Sequence, residues 1–128
     1  MEIKKVMVID DNPDIVEMAR IFLMTSGYEV ITAYSGPEAL MKIQSELPDL
    51  IFLDIMMREM NGKEVLDLLK VDDQTKNIPV VMLTALDDPE VRLDSAKGGA
   101  DHFLAKPFTQ SDMINVINET QEKIEGKH

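Results

Sequence analysis

Five residues able to do chemistry stand where apolar runs stop. Asp10 and Asp11 close Val6-Met7-Val8-Ile9, and Asp54 closes Leu50-Ile51-Phe52-Leu53. Thr84 closes Val80-Val81-Met82-Leu83, and Lys106 follows Phe103-Leu104-Ala105. Short apolar runs bounded by turn signals read as buried strands, and an open parallel sheet binds ligands beyond the carboxyl ends of its strands. Three carboxylates, a hydroxyl and an ammonium are therefore expected on one edge of one sheet. Oxygen ligands suit a hard divalent cation such as Mg2+ or Mn2+, with the Met56 backbone carbonyl a further candidate. Three uncompensated carboxylates repel one another and need a cation or a proton to coexist. Lys106 offsets them in part and could hold one oxygen of a phosphoryl group, while Thr84 offers a hydroxyl to another. Phosphoryl transfer is mostly positioning and charge neutralisation, and an Asp carboxylate can be the nucleophile, forming an aspartyl-phosphate. Singly, each feature has a blander reading: a turn or cap for Asp-Asp, a loop for Lys-Pro, a backbone-bonded hydroxyl for Thr. Their joint placement at the ends of different strands is what points to a site.

The elements that must position them alternate. Val6–Ile9 reads as the first strand. Asn12 caps a helix with Pro13 at its first position, Ile15, Met18, Ala19, Phe22 and Leu23 form its core face, and Gly27 ends it. Glu29–Ala33 is a more polar strand, expected at an edge. Ser35 and Glu38 read as a capping box for a helix to about Glu46. Pro48-Asp49 turns into the third strand, Leu50–Leu53. Asn61-Gly62 opens a helix carrying Val65, Leu66, Leu68 and Leu69. Pro79 precedes the strand Val80–Thr84. Asp88-Pro89 starts a helix with a thin apolar face of Val91, Leu93 and Ala96, stopped by Gly98-Gly99. His102–Ala105 is the fifth strand. Thr109 caps a last helix striped by Met113, Val116, Ile117 and Ile124 and ended by Gly126. Such alternation implies parallel strands, right-handed crossovers and helices on both faces, a three-layer α/β/α sandwich.

The 128 residues are enough for one domain with a substantial core. There are no cysteines, so neither disulfides nor thiolate metal sites are available. No apolar stretch is long enough to span a bilayer and the start is no signal peptide, so a soluble, cytoplasmic protein without membrane partners is expected. The formal net charge of −11 and the lack of a basic stripe argue against direct nucleic-acid binding. Most of the ten methionines read as core filler, although Met56, Met57 and Met60 lie near the site. His102 reads as a structural histidine rather than a phosphorelay one, His128 as terminal, and Glu119, Gln121, Glu122 and Glu125 as a solvated helix face.

The motifs VMVIDDNPDI, LIFLDIMM followed by EMNG, VVMLTA and GADHFLAKPF resemble those of a response-regulator receiver domain of two-component signalling, in order and spacing, from Val6 to Phe108. The last helix also fits, so residues 1–128 read as a single receiver domain. The resemblance implies a flavodoxin-like (βα)5 fold with a five-stranded parallel sheet of order 2-1-3-4-5. It implies that Asp54 accepts phosphate from a phosphohistidine of a sensor kinase or phosphotransfer protein. It also implies that Asp10, Asp11, Asp54 and the Met56 carbonyl bind Mg2+, and that Lys106 contacts the phosphoryl group. Thr84 is then expected to move toward that group, Phe103 to change rotamer with it, and the Lys106-Pro107 bond to be cis. The usual output surface, formed by the fourth helix, fifth strand and fifth helix, would meet a downstream protein, and a phosphorylation-dependent homodimer stays open. Such a chain is a switch rather than an enzyme with a separate substrate: it catalyses its own phosphoryl transfer and autodephosphorylation.

Four positions bear on how the family pattern applies to this sequence. Arg58 stands where the family usually has Pro, which is expected to loosen that loop. Phe103 replaces a common Tyr and, lacking the hydroxyl, is expected to favour inward packing. Met56 and Leu86 flank the expected phosphoryl position, both apolar, so neither can orient an attacking water and self-dephosphorylation should be slow. Of the alternatives, a phosphorylation-independent receiver-like module would have lost an acidic residue or the Lys. A Mg2+-dependent phosphatase would carry a second Asp two residues after the nucleophile, where Met56 stands. A flavodoxin-like cofactor binder would have a Gly-rich phosphate loop.

Overall fold

The structure is a computed structural model that describes residues 2–84 and 89–126, the side chains of 89–92 excepted. Leu86, Asp88, His128 and the side chain of Val91, named above, lie outside the described residues.

Among the described residues five strands and five helices alternate: β1 (Lys5–Ile9), α1 (Pro13–Thr25), β2 (Glu29–Ala33), α2 (Gly36–Ser45), β3 (Leu50–Asp54), α3 (Gly62–Val71), β4 (Val80–Thr84), α4 (Pro89–Lys97), β5 (His102–Ala105) and α5 (Gln110–Glu125). The strands pair in parallel in the order β2-β1-β3-β4-β5, so the polar strand β2 is an edge. Side chains alternate between the two faces of a strand, and both faces are covered. Met7, Ile9, Ile51, Leu53 and Met82 pack with Ala39 and Ile43 of α2 and Val65, Leu66 and Leu69 of α3. Val6, Val8, Leu50, Phe52, Val81 and Leu83 pack with Ala19 and Leu23 of α1 and Met113 and Ile117 of α5. Burial on both sides is why β1, β3 and β4 read as continuous apolar runs rather than alternating ones.

Helix ends follow local chemistry. The Asn12 side chain accepts from the Asp14 N–H, with Pro13 inside the first turn. Asn61 with Glu64, and Thr109 with Asp112, form reciprocal capping boxes. The box expected at Ser35 and Glu38 is only half formed. Ser35 Oγ accepts from the Glu38 N–H at 3.2 Å, but Glu38 Oε1 reaches one residue further back, to the Tyr34 N–H at 2.7 Å.

Several helix faces are turned from their expected positions. On α1 the fully buried residues are Val16, Ala19 and Leu23, with Ile15, Met18 and Phe22 flanking them half-buried. Leu68 of α3 is exposed, since its neighbours Leu66 and Leu69 already fill the contact with the sheet. On α4, Leu93 and Ala96 are exposed and Ser95 is buried. Gln121 is not part of a solvated face: its Oε1 accepts from the Ile3 N–H at 2.7 Å, tying α5 to the chain entering β1. The methionines divide between uses, with Met7, Met57, Met82 and Met113 buried and Met24, Met41 and Met56 exposed.

Candidate functional site

Register brings the acidic residues together. Ile9 pairs with Leu53 across β1 and β3, so the residues that follow, Asp10 and Asp54, stand side by side. Both continue the alternation of Val6-Val8 and Phe52, which faces α1 and α5. Hydrogen bonds carry the ladder one step past the strands. The Asp10 N–H donates to the Ala33 carbonyl at 3.2 Å, Ile55 N–H to Leu83 at 3.1 Å, and Lys106 N–H to Thr84 at 2.7 Å. The ends of β3, β4 and β5 are thus tied in series through backbone, while Asp10 is tied to the edge strand β2 and reaches Asp54 through the pairing of Ile9 with Leu53.

One carboxylate oxygen from each of Asp10, Asp11 and Asp54 lies within 4.8 Å of the others. Asp10 is fully buried and Asp54 nearly so, at 4 % exposure. Lys106 Nζ reaches into this cluster, 2.6 Å from Asp10 Oδ2 and 3.2 Å from Asp54 Oδ1. The Asn12 N–H donates to Asp10 Oδ1 at 2.9 Å, and the Met56 N–H to Asp54 Oδ1 at 3.3 Å.

The charge does not balance. Burial and the Asp10 charge raise the Asp54 carboxyl from 3.8 to about 6, although Lys106 works in the other direction. Burial pulls Lys106 down, but its bond to Asp10 and the charges of Asp54 and Asp10 outweigh that and raise it. Lys106 therefore stays an ammonium, and one ammonium faces two buried carboxylates with a third at the rim. All the donors are hard oxygens in excess negative charge, which suits a small divalent cation that keeps waters in its shell. The residues present fit Mg2+.

Thr84 is buried at the end of β4. By alternation it faces the α2 and α3 side with Val80 and Met82. Phe103 of β5 pairs with Met82 and packs half-buried against the same cluster. The Lys106-Pro107 bond is cis. Met56 lies at the mouth, 76 % exposed, and His102 is half-buried in β5, away from the carboxylates.

Arg58 makes a contact that sequence reasoning missed: its backbone N–H and its Nε both donate to Asp11 Oδ2, at 3.2 Å and 3.4 Å. A pocket of about 300 Å³ opens beside this pair, lined by Asp11, Tyr34, Ser35, Gly36, Met57, Arg58, Glu59 and Met60. The spacing between Asp11 and Arg58 along the chain carries no signal of the contact. It follows from the register of β1 on β3 and the path of the loop after Asp54.

The family model for the response regulator receiver domain matches residues 6–118. This chain belongs to the response regulator receiver domain family. As a receiver domain it belongs to a class of signalling switches whose known role is phosphorylation-dependent switching. It is 41 % identical over 110 residues to the alkaline phosphatase synthesis transcriptional regulatory protein PhoP of Bacillus subtilis, covering 86 % of this chain and 45 % of that one. It is 40 % identical over 116 residues to protein PilG of Pseudomonas aeruginosa, covering 88 % of this chain and 84 % of that one. The receiver thus spans less than half of PhoP and most of PilG. Its fold superposes on the chemotaxis protein CheY4 of Vibrio cholerae with a TM-score of 0.88 at 34 % identity, over 91 % of this chain and 98 % of that one. Family members bind Mg2+ at an acidic pocket and partner with histidine kinases and downstream effectors. In this receiver no helix of the described residues is long and apolar enough to cross a membrane.

Proposed function

We propose that this receiver accepts a phosphoryl group on Asp54 from a phosphohistidine of a sensor histidine kinase or phosphotransfer protein, with Mg2+ held by Asp10, Asp11, Asp54 and the Met56 carbonyl. The observation that carries this reading is the convergence of three carboxylate oxygens within 4.8 Å, with Lys106 Nζ beside two of them.

A carboxylate oxygen of Asp54 attacks phosphorus. A P–O bond forms, the P–N bond to the imidazole breaks, and the electron pair leaves with the donor nitrogen. The metal, when bound, supplies charge neutralisation for the transferring oxygens. Lys106, kept protonated by Asp10 and Asp54, is placed to follow an oxygen of the new acyl phosphate. Asp10, buried and bonded to the Asn12 N–H, holds that ammonium in position. The new group adds charge and acceptor oxygens at one strand end. The Thr84 hydroxyl gains a partner there, and Phe103, on the same face of the sheet, fills the space it leaves. A local change thereby biases a packed two-state surface around α4, β5 and α5.

The test is phosphoryl incorporation from acetyl phosphate, with and without Mg2+, in wild type and Asp54→Asn. Mg2+-dependent labelling that vanishes in the variant is the expected result. A folded protein that binds Mg2+ yet takes no label would instead be a phosphorylation-independent interaction module.

A further inference from the structure

We propose that Arg58 is a resident counter-cation of the acidic pocket that competes with the divalent metal for Asp11, so that removing it tightens Mg2+ binding. The inference rests on the reading of Asp10, Asp11 and Asp54 as the metal site and adds a residue that sets its affinity.

Among the described residues two cations pair with the three carboxylates and divide them. Lys106 pairs with Asp10 and Asp54. Asp11 is served by Arg58, whose guanidinium Nε and backbone N–H converge on the single oxygen Oδ2. Asp11 is the least buried of the three, its side chain 24 % exposed, so it lies on the side from which an ion arrives. A cation approaching it meets an oxygen already bonded twice and a local field already partly neutralised.

The backbone contact can persist during metal binding, because a carboxylate has lone pairs to spare. The guanidinium cannot share the space so easily: a second positive charge on the same oxygen repels the first. It is also free to leave. Its side chain is 88 % exposed, and the pocket shared with Tyr34, Ser35 and Glu59 offers open volume beside Asp11. Lys106 has no such freedom, being largely buried between its two partners. Arg58 is therefore the cation that yields, and Mg2+ affinity is lowered by whatever its pairing contributes.

That contribution is bounded by exposure. Solvent-exposed ion pairs are weak, so the competition amounts to about two- to fivefold in the dissociation constant. It is also screened by salt, which separates it from a structural effect of the loop.

The experiment is calorimetric titration of Mg2+ into the unphosphorylated domain at low and high ionic strength, for wild type, Arg58→Ala and Arg58→Lys. Arg58→Ala is expected to bind about two- to fivefold tighter than wild type at low salt, with the gap closing at high salt. Arg58→Lys, which keeps the charge, is expected to lie nearer wild type. Affinity that is unchanged or weaker in Arg58→Ala overturns the inference while leaving the metal site intact. A gap that does not respond to salt overturns it too. Failure of wild type and Arg58→Ala alike to bind Mg2+ overturns the metal site itself, and the inference with it.

Discussion

Gly62 is seated directly on the backbone of Asp54. A Cβ at Gly62 would stand 2.1 Å from the Asp54 carbonyl oxygen and 2.8 Å from the Ile55 Cα. Its N–H donates to the Ile55 carbonyl at 2.8 Å. The first residue of α3 and the last of β3 are thus in backbone contact, and backbone cannot swing aside as the tip of a side chain can. Gly62→Ala is expected to destabilise the fold by about 2–3 kcal/mol through overpacking. Urea denaturation checks this. A variant as stable as wild type would mean that the loop between Asp54 and Gly62 shifts freely and that β3 and α3 are not tightly coupled.

Asp54 makes the metal-free protein sensitive to pH. Its carboxyl is raised to about 6, first by burial and then by the Asp10 charge. Between about pH 4 and pH 6 the folded chain holds a proton that the unfolded chain has released. Stability therefore falls as pH rises through that window, and the full cost of the buried charge is present above it. In the presence of a chelator, Asp54→Asn is expected to be more stable than wild type at pH 7 by about 1–3 kcal/mol, with the advantage gone near pH 4. Mg2+ should narrow the difference at pH 7 by stabilising wild type through binding to the folded state. Denaturation midpoints for both proteins at pH 4 and pH 7 supply the check, and a pH-independent difference would contradict the assigned charge balance.

Lys106 is the ammonium facing both buried carboxylates, 2.6 Å from Asp10 and 3.2 Å from Asp54. Replacing it with Met keeps much of the stem and removes the charge. Breaking a buried pair by removing one partner costs about 3–5 kcal/mol because the remaining charge is left uncompensated. Here Asp54 can take up a proton and relieve part of that. The loss in Lys106→Met is therefore expected to be larger at pH 7.5 than at pH 5, without divalent ions. Equal losses at the two pH values would mean that Lys106 stabilises by packing alone.

The strands and their ends were legible because burial on both faces forces continuous apolar runs, and a charged residue can enter only where the sheet stops. Asp10, Asp54 and Lys106 are conspicuous for that reason, and Thr84 as the hydroxyl that ends an apolar run. Helix faces were harder to read. Adjacent apolar residues such as Ile15 and Val16, or Leu68 and Leu69, compete for one stripe, and only the sheet beneath decides between them. Contacts made by loops leave no periodic trace at all. Arg58 on Asp11 depends on how one irregular segment folds back over another. Gln121 on Ile3 depends on where α5 passes the start of the chain. Glu38, reaching Tyr34 rather than Ser35, shows a cap motif satisfied one residue away from its expected partner.

Met56 stands at the mouth of the pocket, two residues past Asp54, with its N–H bonded to the Asp54 carboxylate and its side chain 76 % exposed. Hydrolysis of an aspartyl-phosphate needs a water held in line with the P–O bond. A thioether is a weak acceptor and no donor, so this side chain can orient no water for attack. A long-lived phospho-form is the expected consequence. In Met56→Asn a carboxamide with both donor and acceptor capacity replaces the thioether at the same rim position. Its decay is expected to be about three- to tenfold faster, which corresponds to roughly 0.7–1.4 kcal/mol of barrier. The measurement is loss of label from the phosphorylated domain after the donor is removed, in excess Mg2+ so that metal occupancy does not limit either protein. Equal decay rates would overturn the assignment of slow self-dephosphorylation to Met56.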